Sequence, residues 1–513
     1  MIGKSFYKKA TILSSFFSLA YIFFDEKLIN FGHDLLNIMS DERVITIYMR
    51  TFLMALFTSS LTFIVGIILT FFLNEVNFLA NKFYRAVYYL PFVLPTYFLP
   101  TAWISWIGDM GLLKLLKFDI YSFGGCLFLF TLYYLPLVII AISNTLDNNN
   151  SEIKEAALLM GGYKRYLRKI WLPQIFPTAI SSSLLVFILV INNYSIPSIL
   201  GVSTFSTELY AEFGAFYNYY NAVVKTTPIF ILCFVIFLFI RKSLVSTFKN
   251  LSFSYKNNLK EDNLFLEILG SICWGIFFLL TLVIPIFGLI LKIESIFNIW
   301  DAIVLAREQI IFSLWFTFLA AFIIVIIAIF LAYIYLRYNL KMILNYLIKF
   351  LILPPVFIGI ILLLLLNRRG LDYLYSQGIL LYLGYMIRFL PLIFILMVPV
   401  VNSIPKELEE ASLMTGKSYL ETKLRIFLPL VMPGLLLGWI ITFFFCQGEA
   451  ELSILLYPPG AETISIRILS LLHYGSSEIV NGLVLLQIIL LMFVTLIFYL
   501  IYKFIFKFTE MRR

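Results

Sequence analysis

The most constraining feature of the sequence is a succession of apolar stretches long enough to cross a lipid bilayer. A spanning helix needs about 20 mostly apolar residues, at about 1.5 Å each, to cross about 30 Å of hydrocarbon. Helices are favoured because they satisfy their own backbone hydrogen bonds in lipid. Only 13% of the 513 residues are charged, against about a quarter in soluble domains. The sequence therefore predicts an all-α polytopic membrane protein. Its twelve predicted spans lie near residues 7–24, 50–73, 86–107, 121–143, 178–200, 228–247, 264–291, 312–336, 347–366, 376–400, 431–447 and 480–502.

The distribution of Lys and Arg predicts the orientation of these spans. Basic residues accumulate on the cytoplasmic side of membrane proteins, and the loops are most basic on one side if both termini are cytoplasmic. This accounts for the net charge of +9 through contact with lipid headgroups and cytoplasmic partners, without nucleic acid. The first stretch also resembles a signal peptide, but no small-x-small cleavage site follows it. We expect it to be retained as the first span.

One polar stretch occurs twice. The first copy has an acid six residues before a Gly and a later Leu-Pro pair, and the second copy repeats this pattern with one more residue before Leu-Pro. Free rotation at Gly and the missing N–H of Pro predict a helix, a sharp bend and a second helix, which together form a compact knob. The residues concerned are Glu155, Ala156, Ala157, Gly161, Leu172 and Pro173, then Glu410, Ala411, Ser412, Gly416, Leu428 and Pro429.

This repeated stretch resembles the EAA loop of the membrane permeases of binding-protein-dependent ABC importers. The resemblance implies a type I importer permease fold, in which each loop is a cytoplasmic coupling helix that receives one of two ATPase subunits. Two copies imply two parallel six-span repeats, with the transport pathway at their interface. We assign the first half to residues 1–247 with its coupling loop at 144–177, a cytoplasmic linker to 248–263, and the second half to 264–513 with its coupling loop at 402–430.

Polar residues follow at the outer ends of the spans after the two loops. They are Asn192 and Asn193 in the first half, and Glu449 and Glu451 in the second. Carboxylates near a span are costly to insert and usually face a cavity or a partner. We expect these four residues to line the outer gate of a pore. The alternative is that the two acids lie in water beyond the span or bond to a neighbouring helix.

The segment from Gly448 to Gly475 looks like the second half of the ferric-iron type of fused permease. The departures are Ala450, where that pattern has Leu, and an additional acid at Glu451. The resemblance favours ferric iron as the substrate, while neighbouring subgroups carry thiamine, phosphonates or other small solutes. The matching residues are Gly448-Glu449, Tyr457-Pro458-Pro459-Gly460 and Leu472-His473-Tyr474-Gly475.

No catalytic, metal or nucleotide site is expected in the chain. The four Cys lie singly in apolar segments and the two His are too few for a histidine-based metal centre. Gly416-Lys417-Ser418 does not complete a phosphate-binding loop, because Ala411 stands where that motif needs Gly. The resemblance therefore implies that ATP and Mg²⁺ bind to the partner ATPase subunits.

The same resemblance implies an external partner and a location. A periplasmic or lipid-anchored binding protein would deliver the substrate, and the chain would lie in the bacterial cytoplasmic (inner) membrane. The rival class is a twelve-span secondary transporter driven by an ion gradient. That class requires charges near mid-membrane, where only Arg388 is plainly placed.

Overall fold

The computed structural model describes residues 31–108, 111, 119–147, 151–214, 218–249, 263–293, 296–366 and 370–510. The first predicted span and residues 250–262 of the predicted linker lie outside these ranges. The helices before the linker are α1 Phe31–Ser40, α2 Glu42–Glu75, α3 Asn81–Val87, α4 Leu90–Val93, α5 Phe98–Ile107, α6 Phe123–Asp147, α7 Ser151–Tyr166, α8 Leu172–Asn192, α9 Ser195–Ile199, α10 Phe205–Gly214 and α11 Tyr219–Lys249.

The helices after the linker follow a similar order. They are α12 Leu264–Phe278, α13 Ile284–Leu291, α14 Ile296–Leu305, α15 Arg307–Arg337, α16 Lys341–Phe350, α17 Pro355–Leu366, α18 Asp372–Ser376, α19 Ile379–Asn402, α20 Lys406–Met414, α21 Tyr419–Thr422, α22 Leu428–Gln447, α23 Glu451–Leu456, α24 Ile464–Tyr474 and α25 Ser477–Glu510. Within the described ranges, nine continuous helical runs are long and apolar enough to cross a membrane, and one bent pair adds a tenth. The prediction of a polytopic all-α membrane protein is confirmed.

The span predicted at 86–107 is not one straight helix. The run 81–93 and α5 meet at 94°. Pro95 lacks the N–H that a continuous helix requires and disfavours helical backbone at Leu94, whose ψ is 154°. The hydroxyl of Tyr133 on α6 donates to the carbonyls of Phe92 and Leu94, at 3.2 and 3.3 Å, and so satisfies groups freed by the break.

The span predicted at 347–366 is also wrong as a single helix. It is divided between α16 and α17, with Pro354 and Pro355 at the break. The 12 residues of α17 are too few to cross the hydrocarbon region. A third correction concerns 178–200, where the spanning helix ends at Asn192 and Ser195–Ile199 is a separate short helix. Hydropathy measures apolar length and does not register a change of direction.

In the part of the chain that the structure describes, three π-helical segments each lie directly before a helix with proline at its second position. They are Leu167–Trp171 before Pro173, Leu279–Val283 before Pro285, and Lys423–Phe427 before Pro429. The ring of proline collides with the carbonyl four residues earlier in an α-helix. Widening the preceding turn removes that collision, and π-bulges of this kind are single-turn features.

The two halves interlock rather than lie side by side. Helix α12 packs against α2, and the indole N–H of Trp274 donates to the carbonyl of Leu69 at 3.1 Å. Helix α5 packs against α13 and α25, and the hydroxyl of Tyr97 bonds to Ser465 and Gln487. In the other direction α17 packs against α10 and α11. Each broken span therefore places one of its arms in the other half.

Candidate coupling loops and translocation site

The first loop folds into the predicted knob, residues 151–171, with its bend one residue later than expected. Left-handed backbone occurs at Gly162, with φ 70° and ψ 174°, rather than at the predicted Gly161. No heavy atom lies within 4 Å of a Cβ built on Gly162, so the need for Gly there is conformational and not steric.

The second knob, residues 406–427, bends at Gly416, whose φ is 83°. Ser418 then begins the second arm, and its hydroxyl accepts from the N–H of Glu421. In the first knob the second arm starts directly at Tyr163, without residues equivalent to Lys417 and Ser418. The shorter first loop is thus accommodated at the bend, while both knobs lead through a π-helical segment into a span.

The structure places the motif residues mainly on the surface of the knobs. Glu155, Ala156, Glu410 and Ala411 are exposed, and Ala157 is half-buried. Ser412 of the motif is buried, and its hydroxyl lies 2.9 Å from that of Thr422. This contact joins the two arms of the second knob. The Leu-Pro pairs at 172–173 and 428–429 open α8 and α22 with exposed side chains. The coupling role of these residues stays a prediction.

The residue before the first motif acid lies against the end of a long helix. The ammonium of Lys154 is 2.6 Å from the carboxylate of Glu75, the last residue of α2. The hydroxyl of Tyr166, on the second arm, donates to the other oxygen of Glu75 at 3.2 Å. Both charged side chains are at least nine-tenths buried. One carboxylate therefore joins both arms of the knob to α2.

The second knob has the same connection with the charges exchanged. Glu409, also directly before the motif acid, accepts from Nε of Arg337 at the end of α15 at 3.0 Å and from Tyr333 at 2.9 Å. Lys423 on the second arm completes the set. Burial would raise the pKa of the Glu409 carboxyl, but hydrogen bonds from Lys423, Tyr333 and Arg337 outweigh it and hold the pKa below its usual value.

Sequence reasoning missed these four charged residues. A usable signal was present: a charged residue precedes the motif acid in both copies, and a residue of opposite charge ends the second predicted span of each half. The pairs are Glu75 with Lys154 and Arg337 with Glu409.

The tip of each knob carries highly exposed apolar side chains. Leu159 and Met160 are 89% and 82% exposed, and Met414 is 89% exposed. Large apolar groups exposed together on a polar loop mark an interaction surface.

A buried ionic cluster lies at the contact between the halves. Arg388 of α19 is 3.0 Å from Glu449 and 2.9 Å from Glu451. The second oxygen of Glu451 accepts from the backbone N–H groups of Tyr194 and Ser195, at 2.9 and 3.4 Å, at the start of α9 in the first half. Glu449 instead accepts from Leu452, within its own half, at 2.8 Å. Glu451 alone of the two acids joins the halves through its carboxylate.

The remaining predicted gate residues lie beside this cluster. The amide of Asn193 donates to the hydroxyl of Tyr134 at 3.4 Å, and that of Asn192 donates to the carbonyl of Ile352, at the break before α17, at 3.4 Å. All four predicted residues are at most 8% exposed. Their role as a gate stays a prediction, and their surroundings are side chains of neighbouring helices rather than open water. Among the described residues no group of His, Cys, Asp and Glu is arranged to hold a metal ion.

Comparison with known families agrees with the twofold plan of the structure. The model of the family described as binding-protein-dependent transport system inner membrane component matches residues 62–250 and again residues 324–510. The chain belongs to this family. The permease has two family units in one chain, and each unit runs from inside a long helix, α2 or α15, through its knob to the last helix of that half.

Individual relatives of the permease carry different substrates in their names. It is 25% identical over 174 residues to an Fe(3+)-transport system permease protein of Haemophilus influenzae, a match that spans 33% of this chain and 32% of the relative. It is 28% identical over 218 residues to a probable sulfate transport system permease protein of Helicosporidium, spanning 39% and 79% of the two chains. A similarly named protein of Chlorella vulgaris is 27% identical over 165 residues, spanning 31% and 62%.

Proposed function

We propose that this permease forms the whole transmembrane pore of an ATP-driven ABC importer. The two knobs face the cytoplasm, and each docks on one ATPase subunit. A binding protein delivers substrate to the opposite face, and closure of the ATPase pair rotates the halves about their interface to give alternating access. The observation that carries the proposal is the pair of knobs, each joined to a long helix by a buried ion pair and each exposing an apolar tip.

Charge on the knobs supports the cytoplasmic orientation. Lys164, Arg165, Arg168 and Lys169 are exposed or half-buried on the first knob, and Lys417 and Arg425 are exposed on the second. Basic residues of short loops stay on the cytoplasmic side. With this orientation both termini lie in the cytoplasm, and the permease itself lies in a bacterial inner membrane.

The docking of the knobs is tested by placing a charge on one tip. Met414→Glu should weaken copurification with the ATPase, because a desolvated carboxylate would face an apolar pocket. Lys82→Glu is the matched control, since Lys82 is exposed on α3 outside both knobs. Equal recovery of the ATPase with both variants would contradict the docking surface, and no ATPase complex with the unaltered permease would refute the proposed machine.

For the substrate we propose ferric iron. The resemblance of the segment 448–475 and the name of the Haemophilus relative support this proposal. Sulfate is the substrate in the names of the algal relatives, and thiamine or a phosphonate are the further alternatives.

The substrate is tested with the complete complex in liposomes. ATP hydrolysis should rise when the binding protein loaded with ferric ion is added, and should not rise with the same protein unloaded. Stimulation by a sulfate-, thiamine- or phosphonate-loaded binding protein alone would keep the importer and exclude iron.

A further inference from the structure

The structure points to a role for the charged residue that precedes each motif acid. We propose that Lys154 and Glu409 are positioning residues, which fasten the knobs to the ends of α2 and α15 so that each knob and its long helix move as one body. This inference rests on the proposed function, because it concerns how a movement of the ATPase subunits would reach the far side of the membrane.

The first step is that the attachment is specific and buried. Lys154 and Glu75 have side chains 9% and 5% exposed, and Arg337 and Glu409 have side chains 12% and 8% exposed. Exposed ion pairs contribute little, whereas removing one partner of a buried pair leaves an uncompensated charge. The nearby pair Lys406–Glu410 is more than half exposed and offers no such constraint.

The second step is that each long helix reaches the opposite face. Helix α2 has 34 residues and α15 has 31, so they are about 50 Å long at about 1.5 Å per residue. At the far end of α2, the hydroxyl of Thr51 accepts from the backbone N–H of Phe205 at 2.9 Å, and Arg43 pairs with Glu208 at 3.4 Å. At the far end of α15, the hydroxyl of Ser313 donates to the side-chain oxygen of Gln447 at 3.0 Å. Each helix thus joins a knob to the far side of the span that follows that knob, at the segment after α8 in the first half and at the end of α22 in the second.

The third step is the exchange of charge between the halves. The carboxylate belongs to the long helix in the first half and to the knob in the second. The two attachments therefore cannot be interchanged: a lysine at position 409 would face both Arg337 and Lys423. Because of this reversal, exchanging the two charges should restore the ATP-driven movement fully in the first half and only in part in the second. A contact that serves stability alone would not affect that movement.

The test measures an ATP-driven movement that does not depend on the substrate. Spin labels are placed at Ser203 and Ser477, which are exposed on the far face of the first and second halves, with half-buried Cys273 replaced by Ser. Their distance distribution is recorded in the complex with the ATPase, without nucleotide and after hydrolysis of ATP in the presence of vanadate, which traps ADP.

In the unaltered complex we expect ATP to shift this distance. Lys154→Glu should reduce the shifted population, normalised to the bound ATPase and to its rate of hydrolysis, by about tenfold, a typical size for energetic coupling between two sites. Glu75→Lys combined with Lys154→Glu should restore the shift. In the second half, Arg337→Glu combined with Glu409→Lys should give only part of the ATP-driven shift, because Lys423 stays beside the introduced lysine. Lys82→Glu is the control for charge on the same face.

A normal shift in Lys154→Glu, or a double variant no better than the single one, would overturn the inference. If Lys154→Glu does not insert stably, Lys154→Gln replaces it, and a normal shift with that variant would have the same meaning. Absence of an ATPase complex with the unaltered permease would instead refute the proposed function.

Discussion

Glu451 shows how a single carboxylate can hold two halves of a membrane protein together. Its two oxygens are divided between Arg388 in one half and the amides of Tyr194 and Ser195 in the other. Glu449 shares the same arginine but bonds only within its own half. Any separation of the halves along this contact must break the bonds from Tyr194 and Ser195 to Glu451 and can leave those of Glu449 intact.

Replacement of these two acids by Gln should therefore have different results. Glu451→Gln removes the negative charge of the acceptor, and hydrogen bonds to a charged group contribute about 1.5 to 3 kcal/mol. Backbone amides in 194–200 should therefore exchange about tenfold faster or more, as measured by hydrogen exchange of the permease in nanodiscs. Glu449→Gln should leave exchange in that segment unchanged. Identical exchange in the two variants would show that Glu451 does not hold the halves together.

At the scale of elements, the knobs depend on one left-handed residue each. The space around Gly416 is open, so any effect of substitution there comes from the backbone. Asn enters left-handed conformations much more readily than a β-branched residue does.

Gly416→Val should disorder the bend of the second knob at a cost of about 1 to 3 kcal/mol, whereas Gly416→Asn should be nearly neutral. Hydrogen exchange over residues 406–422 measures the bend, and copurification with the ATPase measures its consequence. Equal behaviour of the two variants would mean that the bend does not require left-handed backbone.

The elements also show where sequence reasoning succeeded and where it failed. The knobs were predictable because Gly and Leu-Pro recur at nearly fixed spacing, and the bonding of Glu449 and Glu451 to a neighbouring helix was an open alternative. The breaks at Pro95 and Pro354 were not predictable from hydropathy, since spanning helices also tolerate proline. Gly162 was missed because two adjacent glycines leave the position of the bend undetermined. The buried pairs of Lys154 and Glu409 depend on residues 79 and 72 positions away, so only a comparison of the two halves could have suggested them.

At the scale of the whole molecule, the boundary of the halves in sequence differs from the boundary in space. Helix α12 follows the linker but packs against α2, with Trp274 fully buried there. The family matches begin at residues 62 and 324, so α12 to α14 lie between the two matched units.

This packing of helices across the interface predicts that the permease can be produced as two separate chains. Residues 1–256 and 257–513 produced together as two chains should assemble and copurify, because the packing of α5, α12 and α17 across the interface does not require a covalent linker. Each chain alone should be recovered poorly, since those surfaces would lack their partners. A division after Lys292, which moves α12 and α13 to the first chain and leaves the linker uncut, should also assemble. Failure of the first division with success of the second would show that the linker itself is needed, and failure of both would contradict assembly through packing alone.

The exchange of helices between the halves sets the order in which the protein can be completed during synthesis. Trp274 reaches its carbonyl partner 205 residues after Leu69 has been made, and Gln487 follows Tyr97 by 390 residues. At about 5 to 20 residues per second, the hydroxyl of Tyr97 waits about 20 to 80 seconds for that partner. The N-terminal half must therefore persist in the bilayer as an unfinished intermediate, and membrane insertion factors or quality-control proteases would meet it in that form.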